Sequence, residues 1–310
     1  MSMNHQEKVR ENLARLRRRQ GAGFFSDPQA HITNDRYLIL AAGGTGNEIA
    51  IQLQQEMEET FLPSEIRRKV RILAVDTDHT QLDARVKEGH LQNDQILKLP
   101  YAGVYESFAT DPLLRDILPP NYTTFVRKQD GFDGKGAAAR PLNGRILLTH
   151  GQAVQELQKA VEDLAKELMD AKYLVGLTTL HVVVVCSFCG GTGSGLVVDL
   201  AYMVRHILDG LSLQFDMACY SLTPSACRNN NTEKENFIAT LKTVQHYMNI
   251  HYNGGRFTRT YAPGFSVNST ENIFTGLYLL DGMRTGILSQ DPHGEAVHTA
   301  ARAIVNNMIL

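Results

Sequence analysis

The chain has 310 residues, 43% of them hydrophobic, enough for one large core or two modest ones. Its 31 lysines and arginines nearly cancel 33 aspartates and glutamates, so no broad field argues for nucleic acid or lipid as the main partner. No apolar run reaches the roughly 18 residues of a membrane span, and the N-terminus has no signal-peptide core. Four cysteines without a secretion signal fit reduced thiols in a cytoplasm.

Residues 5–20, HQEKVRENLARLRRRQ, place Val9, Leu13 and Leu16 on one helical face. Arg15, Arg17, Arg18 and Arg19 gather at the C-terminal end, where cations suit the helix dipole. This helix is expected as a solvated appendage, with a basic arm that docks on a partner subunit, an adaptor or an acidic polymer as the functional alternative. A strand at 37–40 then runs into the glycines of GGTG (43–46) and a helix carrying Ile49, Leu53 and Met57. A buried strand follows at 70–75, with Asp76 and Asp78 at its end. Residues 86–133, with four prolines, are expected as loops and a short helix. The stretch 133–145, DGKGAAARPLNGR, reads as a small-residue loop opening into a long helix at 151–171.

A hydrophobic strand next enters CSFCGGTGSG (186–195), and a helix runs on to about residue 208. FDMACYSLTP reads as a strand ended by Pro224, followed by a helix over 235–250. A glycine-, proline- and asparagine-rich connection, 253–270, leads to the strand IFTGLYLLDG and a final helix, GEAVHTAARAIVNNMIL. Cys186 and Cys189 have CxxC spacing, but no second ligand pair follows at zinc-finger spacing. They read as a strand-end cysteine opening a glycine loop.

Strands alternating with helices imply an α/β fold, a doubly wound, mostly parallel sheet in three Rossmann-like layers. Ligands of such sheets sit beyond the carboxyl ends of the strands. Four segments fall there: GGTG, DTD, GKGAAAR and GGTGSG. Glycine turns that open helices offer main-chain N–H groups to an anion, typically phosphate. The lysine motif GxxxxGK[ST] is absent, so that NTPase design is excluded. An NAD(P)-binding enzyme fits poorly, since Asp76 lies further from the first turn than the usual spacing of about 20 residues.

The order of these segments resembles the tubulin and FtsZ superfamily. CGGTGSG is similar to the signature GGGTG[ST]G, with Cys189 in place of its first glycine. GGTGNEI resembles GQAGNQI, GKGAAARPLNGR resembles GLGAGGNPEVGR, and ENFIATL resembles EPYNATL. The resemblance implies GTP or GDP with Mg2+ as cofactors. Main-chain N–H groups of Gly190, Gly191, Gly193 and Gly195 would cup the phosphates, with hydroxyls from Thr192 and Ser194. Gly43, Gly44, Thr45, Gly46 and Asn47 would cover the other side, and Gly136, Ala137 and Ala138 would approach the γ-phosphate. Asp76 or Asp78 would hold magnesium through water, and Arg145 and Glu235 would take the sugar. At the base end the resemblance points to Asp281 or Gly282 and to His298, with Asn306 and Asn307 further along. Capping remains the alternative for Ser194, Asp76 and Asp78, and tight packing for the glycines. Valine at position 191 is expected to abolish binding while leaving most of the fold.

On this reading residues 1–35 form a basic helix and linker, and 36–310 a GTP-binding domain ending in the central helix. The second, activation domain, with its acidic loop, is expected to be absent from this chain, and IVNNMIL stops without a glycine cap, as in a piece of a longer protein or, alternatively, a family member that has lost that domain. The implied parent is a prokaryotic cytoplasmic GTPase that self-associates head to tail into filaments. This chain alone would bind GTP with little hydrolysis. The alternative is a non-polymerising nucleotide sensor or adaptor of the same fold.

Overall fold

The computed structural model describes residues 34–118, 131–170, 174, 178–284 and 287–309. The strand β1 (Arg36–Ala42) is buried along its whole length. Leu38 and Leu40 enter the core on one face of the sheet, while Tyr37, Ile39 and Ala41 enter the core on the other, as a period of two requires. Helices α1 (Gly43–Thr60) and α2 (Pro63–Lys69) lead to β2 (Val70–Asp76), and α3 (His79–Lys87) to a short β3 (Ile96–Lys98). Then come α4 (Val104–Thr110), α5 (Pro112–Ile117), α6 (Pro141–Thr149) and α7 (Ala153–Leu168). β4 (Leu180–Ser187), α8 (Thr192–Gly210), β5 (Phe215–Leu222) and α9 (Asn231–Met248) follow. The chain ends with β6 (Phe257–Ala262), β7 (Phe265–Ser269), β8 (Gly276–Leu280), the small pair β9 (Met283–Arg284) and β10 (Ile287–Leu288), and α10 (Pro292–Ile309).

The main sheet has the order β3-β2-β1-β4-β5-β8, and every pair in it is parallel. The expected doubly wound sheet is therefore present. Chain order reverses between β1 and β4, so a crevice opens where the two connections leave in opposite directions. Helices α1 and α10 cover one face with residues such as Ile49, Leu53, Ala300 and Ile304. The other face is covered by α6, α7 and α8, through Leu147, Leu157 and Leu200.

Four local expectations are corrected. β3 falls where the sequence predicts loop, because its three residues are too short to show alternation. The 133–145 stretch is loop only to Arg140, because Pro141 stands at the first position of α6, where its fixed φ suits a helix. Residues 151–171 hold a shorter helix, α7. The 253–270 connection contains the antiparallel hairpin β6–β7, turned at Pro263 and Gly264, whose φ is +81°. The basic helix expected at 5–20 lies outside the described residues, as does part of 86–133.

The hairpin is anchored through Asp199 of α8, which is only 1% exposed. Its Oδ1 accepts from Arg259 Nη1 at 2.9 Å and from the Tyr261 hydroxyl at 2.5 Å, and its Oδ2 accepts from Arg145 Nε at 2.7 Å. Burial pushes the Asp199 carboxyl up from its ordinary value, and the Arg145 charge and the Tyr261 hydrogen bond oppose that. Removing the acid leaves two guanidinium groups facing an emptied acceptor. Asp199→Ala is expected to lower unfolding stability in urea by about 3 kcal/mol. A loss under about 1 kcal/mol would show that the network does not anchor the hairpin.

Candidate functional site

At the reversal point two helix N-termini meet. Gly43 has φ +75°, and a Cβ added there would lie 2.9 Å from Gly193 N and 3.2 Å from Thr192 Cβ. Conversely, a Cβ at Gly193 would lie 2.9 Å from the Ala42 carbonyl oxygen and 3.0 Å from that of Ser187. The absence of side chains at both positions lets the first turns of α1 and α8 touch main chain to main chain. Neither helix has a side-chain cap or an acidic residue in its first turn. Their leading N–H groups and positive dipole ends therefore share one region, which favours an anion.

Beside this junction stands Asp76, at the carboxyl end of β2 and 1% exposed. Its Oδ1 accepts from the N–H groups of Thr77 at 2.7 Å and Asp78 at 3.2 Å, and its Oδ2 accepts from Asn47 Nδ2 at 2.9 Å. Thr77 and Thr192 share a hydroxyl hydrogen bond of 2.6 Å, which links β2 to the start of α8. Asn47 Oδ1 is buried and has no hydrogen-bond partner. Burial pushes the Asp76 carboxyl up to about 6, against the hydrogen bonds from the Asp78 and Thr77 main chain.

The loop before α6 forms the third wall. Gly136 N–H donates to the Thr77 carbonyl at 3.3 Å, and Asp78 pairs with Lys135 in an isolated bridge. Ala138 and Ala139 hold φ of +51° and +53°, a left-handed conformation costly for a residue with a Cβ. Asn236 of α9 secures the loop: its Nδ2 donates to the carbonyls of Ala139 at 2.9 Å and Cys189 at 3.0 Å.

The structure thus brings together Gly43, Gly44, Thr45, Gly46 and Asn47 on α1, Asp76, the 136–138 segment, and Gly190 to Gly195. Several of these have structural roles. Asp78 caps α3, accepting from Gln81 N–H at 2.9 Å. The Ser194 hydroxyl donates back to the Gly190 carbonyl, and that of Thr192 is engaged with Thr77. Gly191 is packed: an added Cβ would meet Arg140 N at 2.7 Å and Ala137 Cβ at 2.9 Å. The expectation that valine at 191 leaves most of the fold is therefore corrected. Gly190 is the open position, where an added Cβ meets nothing within 4 Å.

The outer residues divide. Glu235 is exposed on α9 next to Asn236, and Asp281 is exposed at the end of β8, two strands from β4 on the same edge. Arg145 is engaged with Asp199, as described above. His298 is not at this edge. Its Nδ1 lies 3.3 Å from Glu56, some 13 residues along α1 from Gly43, or about 20 Å of helix. Asn307 lies further still, its carbonyl accepting from the Tyr37 hydroxyl at the start of β1 at 3.3 Å. From α10 it is His293 that reaches the edge, with Nε2 2.5 Å from Glu48 Oε2. Sequence reasoning missed His293 and Asn236; only the position of Asn236 beside Glu235 hinted at it. A cleft of 840 Å³ lies away from the glycine turns, lined by Gln54, Met57, Ile66 and Arg67 among others.

The oxygen set at Asp76 suits a hard cation. Among the described residues no group of three or more histidines, cysteines or acids is placed to hold a metal. Magnesium needs no such group, since it keeps several waters and uses one or two carboxylates with substrate phosphates. Asp76, the vacant acceptor Asn47 Oδ1 and the Thr77–Thr192 hydroxyl pair fit that chemistry.

Two expectations follow for the ligand-free chain. In the unfolded state Asp76 ionises near 3.8, and in the folded state near 6, so the folded chain binds more protons between these values. Stability should fall as pH rises from about 4 to about 6, and the penalty, on the order of 3 kcal/mol, should be complete above that. Asp76→Asn should raise urea stability at pH 7.5 and flatten this pH dependence. An unchanged profile would mean that Asp76 is not held in a low-dielectric site.

A family model described as tubulin like matches residues 38–309. Among solved structures the chain is similar to a helical model of the TubZ-Bt two-stranded filament, at 15% identity and TM-score 0.54, over 89% of this chain and 55% of that one. It is also similar to a GTPγS-form protofilament of TubZ from Bacillus thuringiensis serovar israelensis, at 13% identity and TM-score 0.52, over 89% and 57%. A GTPγS-bound CetZ2 protofilament from Haloferax volcanii aligns at 14% identity and TM-score 0.48, over 88% and 58%. At these identities the first two likenesses are ones of fold, and the chain spans little more than half the length of those structures. No curated protein matches. Among the described residues no helix is long and apolar enough to cross a membrane. The family model covers most of the chain and the fold agrees with it: this chain belongs to the tubulin-like family.

Proposed function

We propose that residues 36–310 form the GTP-binding domain of a prokaryotic, cytoplasmic, tubulin/FtsZ-like GTPase that assembles head to tail into filaments. The carrying observation is the meeting of two uncapped helix N-termini, opened by Gly43 and Gly193, at the reversal of strand order. The similar structures include a protofilament and a two-stranded filament, which supports the assembly reading.

In this reading the N–H groups of 190–195 and 43–47 bind the phosphate oxygens from two sides. Asp76, as carboxylate, and Asn47 Oδ1 would hold a magnesium ion through its waters. Asp78, with its Oδ1 used as a helix cap, is left as the outer of the two acids. Magnesium, when bound, neutralises charge on the phosphate oxygens. The loop at 136–138 closes over the terminal phosphate, where alanine and glycine leave room. Asn236 holds that loop to the 189–190 turn, and Glu235 beside it faces outward towards the sugar. Asp281 would accept from the base, since guanine offers N1–H and N2–H2 as donors. No water-positioning acid is assigned to this chain, so its own turnover is expected to be very slow.

Thermal unfolding with GTP, GDP, ATP or NAD tests ligand class. At a hundredfold excess over Kd the true ligand should add about 2.7 kcal/mol of stability. A shift with NAD and none with GTP would contradict the reading. Gly190→Val should leave ligand-free stability within about 1 kcal/mol and abolish the GTP shift, because its side chain enters open space. A Gly190→Val chain that binds GTP normally would place the phosphates elsewhere. Light scattering with GTP tests assembly; a monomer that still binds GTP would favour the sensor alternative.

A further inference from the structure

The phosphate-loop signature departs from its family form at Cys189, and the structure gives that thiol a partner. Cys189 is 1% exposed in the turn after β4, and Cys227, partly exposed, lies in the turn after β5. Ser187 Oγ joins them: it accepts from Cys189 N–H at 3.1 Å and lies 3.5 Å from Cys227 Sγ. The two thiols lie close enough to perturb each other's ionisation, while the Cys189 thiol donates to the Leu222 carbonyl at 3.8 Å. Cys186, despite its CxxC spacing from Cys189, neighbours Cys219 on the adjacent strand β5, both as free thiols.

A histidine completes the group. His293 Nδ1 lies 3.0 Å from the Ala226 carbonyl, and Nε2 lies 2.5 Å from Glu48 Oε2. Both partners only accept, so both ring nitrogens must carry protons, and the ring is an imidazolium. Hydrogen bonds to Cys227 and then to Glu48 push its pKa up to about 10, so it is charged at neutral pH. The charge of this cation lies near Cys227 and favours its thiolate. Of the two thiols, Cys227 is the one beside the cation and the one solvent reaches. The hydrogen bond from Cys189, with those from His293 and Ser187, pushes the Cys227 thiol down, while the buried Cys189 keeps its proton. A thiolate beside a cation, with solvent access and a neighbouring thiol, has the features of a reactive cysteine.

We propose that Cys227 is a hydroperoxide-reactive nucleophile that is resolved by Cys189 into a disulfide joining the turns after β4 and β5. The Cys227 thiolate attacks the outer oxygen of a hydroperoxide, ROOH. An S–O bond forms, the O–O bond breaks, and RO⁻ takes a proton and leaves as ROH. Cys189 then attacks the Cys227 sulfur; the S–S bond forms and the S–O bond breaks. Hydroxide leaves as water with the Cys189 proton. Two thiols are oxidised by two electrons and one hydroperoxide is reduced. Cys189 opens the loop assigned to phosphate, and its carbonyl is held by Asn236. The disulfide therefore fixes the entrance of that loop and lowers nucleotide affinity, a consequence that rests on the proposed function.

The test treats the purified 310-residue chain with hydrogen peroxide and maps its peptides without reduction. A Cys189–Cys227 disulfide reversed by dithiothreitol is expected, formed about tenfold faster than any oxidation of Cys186 or Cys219. In Cys189→Ser, dimedone should label Cys227 as sulfenic acid. In His293→Gln, a positioning variant, the pH profile of Cys227 alkylation by iodoacetamide should move to higher pH. Reduced thiols at both positions after treatment, or oxidation spread equally over all four cysteines, would overturn the proposal. Formation of the disulfide in a chain that never shows a GTP shift would leave this proposal standing and remove the nucleotide reading. A disulfide that leaves an existing GTP shift unchanged would overturn the regulatory consequence alone.

Discussion

Main chain packed against main chain at the reversal of strand order is the constraint on which the structure turns. α1 and α8 leave adjacent strands in opposite senses, and both must begin within van der Waals reach of the same carbonyls. The 2.9 Å separations that a Cβ at Gly43 or Gly193 would create exclude any side chain there. The same closeness has a chemical result. Two sets of leading N–H groups, with no side-chain cap in either helix, point into a common region. Packing and anion affinity are two consequences of one geometry, so the glycines need not be assigned to one or the other. Gly190 is the exception that separates them, because a Cβ there would meet nothing within 4 Å.

Around that junction the fold tolerates unfavourable local states. Asp76 is buried where ionisation is disfavoured, Asn47 Oδ1 lacks a donor, and two alanines sit in the left-handed region. Each costs stability in the ligand-free chain. All lie on segments that meet at the junction, and the large cores on both sheet faces offset them. Local strain gathered where an anion and its cation would bind is what a pre-organised site requires.

The central strands and the glycine turns were legible because their signals are local and dense. Val182 to Val185 form a buried run that ends in glycines, and the helix beyond carries its own periodicity. β3 was illegible because three residues carry no period. α6 was hidden by Asn143 and Gly144, poor helix formers, although Gly144 is needed for contact with the Gly191 carbonyl at a distance a Cβ would reduce to 2.9 Å. The hairpin β6–β7 had its signal in Pro263–Gly264 between alternating residues, and glycine content obscured it. At the site, family resemblance located the inner residues and failed at His298. No sequence rule gives the axial position of a helix 250 residues downstream against α1. The cluster of Cys227, His293 and Glu48 joins three distant segments, and nothing short of the folded chain could assemble it.

The most direct measurement is hydrogen–deuterium exchange of the main-chain amides with and without GTP and magnesium. Added protection should appear together at 43–47 and 190–195, with the loop at 136–138 following. Ligand binding that protects neither glycine turn, or only residues around Gln54 and Arg67 at the remote cleft, would contradict the claim that the paired helix ends hold the phosphates.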